Sequence, residues 1–345
     1  MYGRLPYLTN LLLRRVEQIL GLTRLVSQPD TIQIEPTTRC NLSCPFCEHS
    51  VWSRGGMDLL FSDFVKIVEQ FPYLKRIHLQ GIGEPLLCRD LLQMVHYCTG
   101  RGIAVGTTTN AMLIDESVAR QLVASGIDSV TVSFDSSSPS TFERIRRGSC
   151  FDTIRRSVQT LVEHRREPGK PRLSFLFTGT TENIHDLPDV VTTAHEWGIG
   201  HVFAQEALIF GEDALDQRMT GLKLSENPES TRTVLREAAR RATEYGIPFE
   251  WFGLRNGGAI GTDIPPYLHG DVRLCRNAFR SCYITVDGYV VPCSCYPDPE
   301  KFNFGNILKE NFSEIWNGEK YVAFRRAKLS GQAIPLCSEC TVPKL

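Results

Sequence analysis

The stretch IEPTTRCNLSCPFCEHS, Ile34–Ser50, sets Cys40, Cys44 and Cys47 in a C-x3-C-x2-C spacing. Three thiolates on one short loop can hold three corners of a cubane iron–sulfur cluster. They leave the fourth iron without a protein ligand. Structural zinc asks for four ligands, usually from paired C-x2-C units, whereas a [4Fe–4S] cluster is commonly held by closely spaced cysteine thiolates. An open iron is a place for a substrate or cofactor to bind. The competing reading is a zinc loop or three buried thiols.

Outward from this loop, the chain has 345 residues, 42% hydrophobic and 22% charged, with a net charge of −1. That length suits roughly two domains. The near-zero charge makes no electrostatic case for nucleic acid or an anionic membrane, although a basic patch can hide inside a neutral total. Twelve cysteines would suggest disulfides in a secreted chain. Residues 1–30 lack the long apolar core and cleavage site of a signal peptide, since Leu11-Leu12-Leu13 runs into Arg14-Arg15. No stretch approaches the length of a membrane span. The expectation is a cytoplasmic protein whose thiols stay reduced or bound to metal. Residues 5–26 read as an amphipathic helix that packs on the domain surface, with a peripheral membrane contact as the minority option.

From residue 31 to about 206 the pattern alternates strand and helix. Apolar, β-branched runs fall at Thr31–Glu35, Arg76–Leu79, Ile103–Thr107, Ser129–Phe134, Arg172–Phe177 and His201–Gln205, with helical periodicity between them. Six such units predict an α/β fold with a parallel sheet. Four segments follow: an N-terminal helical extension at 1–30, the alternating domain at 31–206, a linker and helix at 207–269, and a C-terminal domain at 270–345. In the last, Asp287-Gly288 between CYITV and YVVPC is a hairpin signal. A helix is expected over Phe312–Leu329.

Three motifs follow the cysteine loop at the ends of expected strands. Gly81-Ile82-Gly83-Glu84-Pro85 succeeds the second strand, Thr108-Thr109-Asn110 ends the third, and Ser133-Phe134-Asp135 ends the fourth. In parallel α/β folds ligands bind at the carboxyl ends of strands, so all three converge on one rim. Alone, a GxGEP turn is a weak signal. Placed after the cysteine loop, the set resembles the radical S-adenosylmethionine (SAM) superfamily.

That resemblance implies a partial (β/α)6 barrel and the following roles. Cys40, Cys44 and Cys47 would ligate a [4Fe–4S] cluster whose open iron takes the amino and carboxylate groups of SAM. Phe46 would sit against adenine. Gly83 would permit close backbone approach, and Glu84 would accept from the SAM ammonium. Asn110 and Ser133 would lie near the ribose or carboxylate, and Arg146, with Arg147 as the neighbour easily confused with it, would pair with the SAM carboxylate. For Thr109, Asn110 and Asp135 a capping or turn role competes. One electron from the cluster would cleave SAM to methionine and a 5′-deoxyadenosyl radical that removes a hydrogen atom from substrate. A reducing donor such as flavodoxin or ferredoxin would supply the electron.

Cys275, Cys293, Cys337 and Cys340 form a second set. Four thiolates can ligate one cluster fully, and on spacing alone zinc competes. The run C…GYVVPC, FGNI, helix and C-x2-C resembles the auxiliary-cluster region of the SPASM/twitch branch. The expected form is the shorter, twitch-type domain with one auxiliary [4Fe–4S] cluster, because the chain stops soon after Cys340. Cys282 and Cys295 are spare nearby thiols, and Cys88, Cys98 and Cys150 read as small packing residues. The expected substrate is a small polar metabolite, a sugar, cyclitol or nucleoside, undergoing oxidation, epimerisation or decarboxylation. The alternative is peptide maturation, set lower because only about 30 residues precede the barrel. A non-enzymatic electron-transfer protein would not need GIGEP or an adenine-stacking Phe46.

Overall fold

The computed structural model describes residues 4–50, 54–165, 169–207, 221–224, 227–252, 275–294, 297–332, 334 and 337. Six strands follow the expected order: β1 Thr31–Ile34, β2 Arg76–Leu79, β3 Ala104–Thr109, β4 Ser129–Ser133, β5 Arg172–Gly179 and β6 Val202–Glu206. Each pairs in parallel with the next. Parallel pairing is enforced by the helical crossovers α2 Phe61–Val68, α3 Leu91–Thr99, α4 Glu116–Ala124, α6 Phe151–His164 and α7 Leu187–Glu196. Burial alternates along β1, β2, β4 and β6. In β4, Val130 and Val132 are buried in the helix-packed core, while Ser129, Thr131 and Ser133 on the other face are half-buried. Gln33, His78 and Gln205 are likewise half-buried, so the barrel's inner face is polar.

The sequence pattern predicts neither of the next two elements. Helix α5, Pro139–Ile145, is about two turns long, begun by the cap residue Ser138 and by Pro139 in the first turn. It buries Phe142 beside Phe134 and Phe151, whose rings meet those of Phe175 and Trp197. Strand β7, Phe249–Phe252, follows helix α8, Pro228–Tyr245, and pairs in parallel with β6.

The C-terminal hairpin extends the same sheet. After α9, Arg276–Phe279, strand β8, Ser281–Ile284, pairs in parallel with β1, with Cys282 opposite Ile32. Strand β9, Tyr289–Val291, returns antiparallel across a turn in which Gly288 adopts φ +85°. A short strand β10, Gly305–Asn306, completes a ten-stranded sheet in the order β10-β9-β8-β1-β2-β3-β4-β5-β6-β7. The helix expected over 312–329 is broken into α10, Phe312–Trp316, and α11, Glu319–Ser330. The break falls at Asn317-Gly318, where the Asn317 side chain accepts from Leu25 N–H and donates to Leu25 C=O instead of facing solvent on a continuous helix. At the other end of the chain, α1 spans Arg4–Ile19.

Candidate functional site

The cysteine loop leaves the carboxyl end of β1 and is braced before its first thiol. Thr37 and Asp58 form an antiparallel bridge. Thr37 Oγ1 donates to Asp58 Oδ1 at 2.6 Å, and Thr38 Oγ1 donates to Gly55 O at 2.6 Å. Beyond the thiols, Cys47 N–H donates to Cys44 O and Ser50 N–H to Cys47 O, which turns the loop back on itself. Leu42 N–H points at Cys40 Sγ at 3.5 Å. Cys44 is buried, and Cys40 and Cys47 are half-buried.

Electrostatics bind the three thiols into one unit. Burial pushes the Cys47 thiol up to about 12, and the nearby Cys44 and Cys40 add to the rise. Burial also raises Cys40 and Cys44, opposed in both by the charge of Arg146. Three desolvated thiols that repel one another as thiolates need a cationic centre to ionise together. The donor set therefore fits an iron–sulfur cluster. Among the described residues no three His, Cys, Asp or Glu side chains converge on a single metal ion; a cubane engages its thiolates on separate irons.

The glycine loop locks against this unit. Glu84 N–H donates to Arg39 O at 2.7 Å. A Cβ on Gly83 would lie 2.3 Å from Thr37 O and 2.6 Å from Arg39 O, and one on Gly81 would lie 2.2 Å from Glu35 Cγ. Both glycines are thus required by chain-to-chain approach within the protein. The Glu84 carboxylate is buried and heavily engaged. Its Oε1 accepts from Thr109 Oγ1 at 2.6 Å and Leu86 N–H at 3.1 Å, and its Oε2 accepts from Asn110 N–H at 2.7 Å. Burial raises its pKa, against those three bonds and the charge of Arg146. Thr109, weighed as a turn residue, is a direct Glu84 partner.

Asp135 and Arg146 meet in a buried ion pair at 2.6 Å. Asp135 Oδ1 also accepts from Thr178 N–H at 2.7 Å, and Asn183 holds the Asp135 carbonyl at 2.9 Å. Arg146 Nε is buried with no hydrogen-bond partner. Its charge acts on Cys40, Cys44 and Glu84 together, so the structure gathers these groups on one rim. A buried donor without an acceptor suits an anionic group of a bound cofactor. Asn110 Nδ2 donates to Asn41 Oδ1 at 2.8 Å, tying the third strand's end to the cysteine loop. Ser133 lies half-buried at the end of β4. Phe46 is half-buried against Ala207, just past β6, with Leu222 beside it.

Two participants escaped the sequence analysis. Asn41 sits inside the quoted motif, where only the cysteines and Phe46 drew attention. Glu35 is fully buried at the end of β1. Its Oε1 accepts from Ile82 N–H at 3.0 Å and its Oε2 from Val286 N–H at 3.2 Å, with Arg54 at 3.5 Å. Arg54 also reaches Asp287 at 2.6 Å. Glu35 thereby clamps the cysteine loop's root, the glycine loop and the C-terminal hairpin turn. The signal was available as an acid directly after a buried strand, a position that demands a partner.

The second cysteine set is only partly in view. Cys275 is half-buried and raised by burial, with Cys293 close enough to contribute. Cys337 is half-buried against the main core. Cys340 and the spare Cys295 lie outside the described residues. Cys282 is buried within β8, in the core.

With this geometry in place, comparisons with known proteins define the class. Residues 34–194 match the radical SAM superfamily, and the chain is a radical SAM enzyme. Residues 275–341 match the SPASM iron–sulfur cluster-binding domain, which makes it a member of the SPASM/twitch branch, with [4Fe–4S] clusters and SAM as cofactors. A tungsten-containing aldehyde ferredoxin oxidoreductase cofactor-modifying protein of Pyrococcus furiosus is 27% identical over 333 residues, covering 90% of this chain and 87% of that protein. A PqqA peptide cyclase of Gluconobacter oxydans is 26% identical over 299 residues, covering 85% of this chain and 78% of that one. SuiB of Streptococcus suis bound to its precursor peptide SuiA shares the fold, with a TM-score of 0.69 at 16% identity over 96% of this chain and 74% of that chain.

These comparisons overturn the expectation of a sugar, cyclitol or nucleoside substrate. PqqA peptide cyclases from several bacteria match the chain over most of its length. The small-metabolite expectation leaned on the short segment before the barrel and the short cysteine region at the end. Neither describes what the barrel's rim and polar inner face receive. Among the described residues no helix is long and apolar enough to cross a membrane.

Proposed function

We propose that the chain is a peptide-modifying radical SAM enzyme that matures a ribosomally made precursor peptide. The observation that carries this reading is the likeness to PqqA peptide cyclases across 85% of the chain. When bound, a [4Fe–4S] cluster with an open iron supplies the electron that cleaves SAM to methionine and a hydrogen-abstracting 5′-deoxyadenosyl radical.

In this reading Cys40, Cys44 and Cys47 hold that cluster. Arg146, fixed by Asp135, would offer its free Nε to the SAM carboxylate. Glu84, held by Thr109 and Asn110, keeps remaining acceptor capacity for the ammonium. Phe46 packs against the adenine, and Gly83, Asn110 and Ser133 shape the remaining wall. Cys275, Cys293, Cys337 and Cys340 would hold an auxiliary cluster, which would supply an electron acceptor for an oxidised product. A flavodoxin or ferredoxin supplies the first electron in the reducing cytoplasm.

The test is anaerobic turnover of reconstituted enzyme with SAM, dithionite and synthetic peptides encoded by short reading frames beside the gene. Side-chain deuteration of the correct peptide should place deuterium in 5′-deoxyadenosine, and a crosslink should show as the loss of two hydrogens from the unlabelled peptide. Deuterium transfer from a non-peptide metabolite, with every flanking peptide unchanged, would refute the reading.

A further inference from the structure

Helix α1 is mounted inside out. Amphipathic surface helices of globular proteins normally turn their apolar stripe to the core. Here the polar side is the buried one. Asn10, only 1% exposed, exchanges hydrogen bonds with Gln28 at 3.0 and 2.9 Å. Arg14 pairs with Asp30 at 2.8 Å and donates to Gln28 O at 2.7 Å. Glu17 accepts from Ser27 N–H at 3.0 Å and from the Ser27 hydroxyl. The opposite face carries Leu8, Leu12, Val16, Ile19 and Leu20, all exposed, with Leu12 at 69% and Ile19 at 72%. Their spacing of three and four residues aligns them in one stripe.

The exposed charge carried by this segment has one sign. Residues 6–26 expose two arginines, Arg15 and Arg24, and no acid, because their single acid, Glu17, is buried. Lys75 lies over the Tyr7 ring at 4.9 Å, and Arg76 beside it is exposed. The exposed acids Glu314 and Glu319 flank Asn317, which binds this segment only at its far end, where its carbonyl accepts from Arg24 at 3.0 Å and its side chain meets Leu25. The chain's net charge of −1 conceals this local excess.

We propose that the exposed face of α1 docks on an anionic lipid bilayer surface. Aliphatic side chains enter the acyl boundary while the flanking cations meet the headgroups, and two such signals together give stable but reversible attachment. The protein body takes the place of the aqueous polar side. The geometry leaves the active site free. Gln28 and Asp30 precede β1, and Asp30 O accepts from Lys75 and Arg76 at the start of β2. The helix therefore sits at the amino ends of the strands, opposite the cysteine rim.

Flotation of the full chain with vesicles tests this. Vesicles of phosphatidylglycerol and phosphatidylcholine should bind at least roughly tenfold more protein than phosphatidylcholine alone, and high salt should weaken the binding. The Leu12→Ser/Val16→Ser/Ile19→Ser variant should stay in solution while cleaving SAM at the parental rate. Arg15→Glu/Arg24→Glu should lose the lipid preference. Should the triple variant fail to fold, Leu12→Trp carries the test, since its emission should shift to the blue only with anionic vesicles. Absence of vesicle binding, equal binding by the triple variant, or a dimer that this variant makes monomeric without any lipid effect would each overturn the proposal.

Discussion

The two cysteine sets of this enzyme are built in opposite ways. The first occupies eight residues, Cys40–Cys47, so the chain itself brings its thiols together, although Arg147 and Asn110 also hold the loop through Ser43 and Asn41. The second spreads from Cys275 to Cys340, across a helix, a hairpin and two further helices. Its thiols meet only if tertiary packing brings them together. Arg325 shows how far that packing reaches. Fully buried on α11, it donates to Ala278 O, Thr23 O and Trp316 O and stacks on Trp316 at 4.0 Å. A local site tolerates distant change and fails by loss of its own ligands. A distributed site fails with the scaffold.

The sharpest way to break this contrast is to remove the local thiols. Cys40, Cys44 and Cys47 changed together to Ala should abolish 5′-deoxyadenosine formation and lower bound iron from about eight to about four atoms per chain, with thermal stability little changed. Cleavage surviving in that variant would end the assignment. Next in size, Cys275→Ala/Cys293→Ala should also lose about four irons, yet keep SAM cleavage while peptide product disappears. Loss of cleavage as well would erase the distinction between the two sites.

Arg146→Ala should destabilise by ~3–5 kcal/mol, because it strands the Asp135 carboxylate in the interior. Denaturant midpoints of Asp135→Asn/Arg146→Leu should recover much of that loss while SAM binding stays weak. A double variant with parental SAM affinity would show that the pair serves the fold alone. The smallest effect concerns Glu35, which ties both regions together. Burial raises its carboxyl above 4.5, against the N–H groups of Ile82 and Val286 and the Arg54 charge. The native state then holds a proton that the unfolded chain releases. Its stability contribution is full below about pH 4.5 and falls as pH rises through the native value. Glu35→Gln should flatten that slope; an unchanged pH profile of unfolding would count against it.

Much of the first region was legible because its signals are local. The six strand-helix units fall within two residues of their expected starts, since each strand is a short β-branched run and each helix has its own periodicity. The rim motifs could be placed because strand ends locate them. What stayed hidden was carried by long-range partners. Nothing in Thr31–Ile34 announces Ser281–Ile284 as its neighbour, so the continuity of the sheet was not foreseen. Gly81 and Gly83 suggested ligand approach, whereas their missing Cβ atoms make room for Glu35, Thr37 and Arg39. The inverted mounting of α1 was equally invisible, because periodicity reveals two faces without saying which one the core will take.

The pairing of β8 with β1 also sets a timetable for synthesis. Val286 reaches Glu35 across 251 positions of chain. At ribosomal rates of roughly 5–20 residues per second, the hairpin emerges roughly 12–50 s after the strand it must join. Throughout that interval β1 offers an unpaired edge, a template for any other extended segment. The nascent enzyme is therefore most exposed to mispairing while most of its barrel has already been made, and a ribosome stalled ahead of Ser281 would release a nearly whole barrel with one side of its sheet still open.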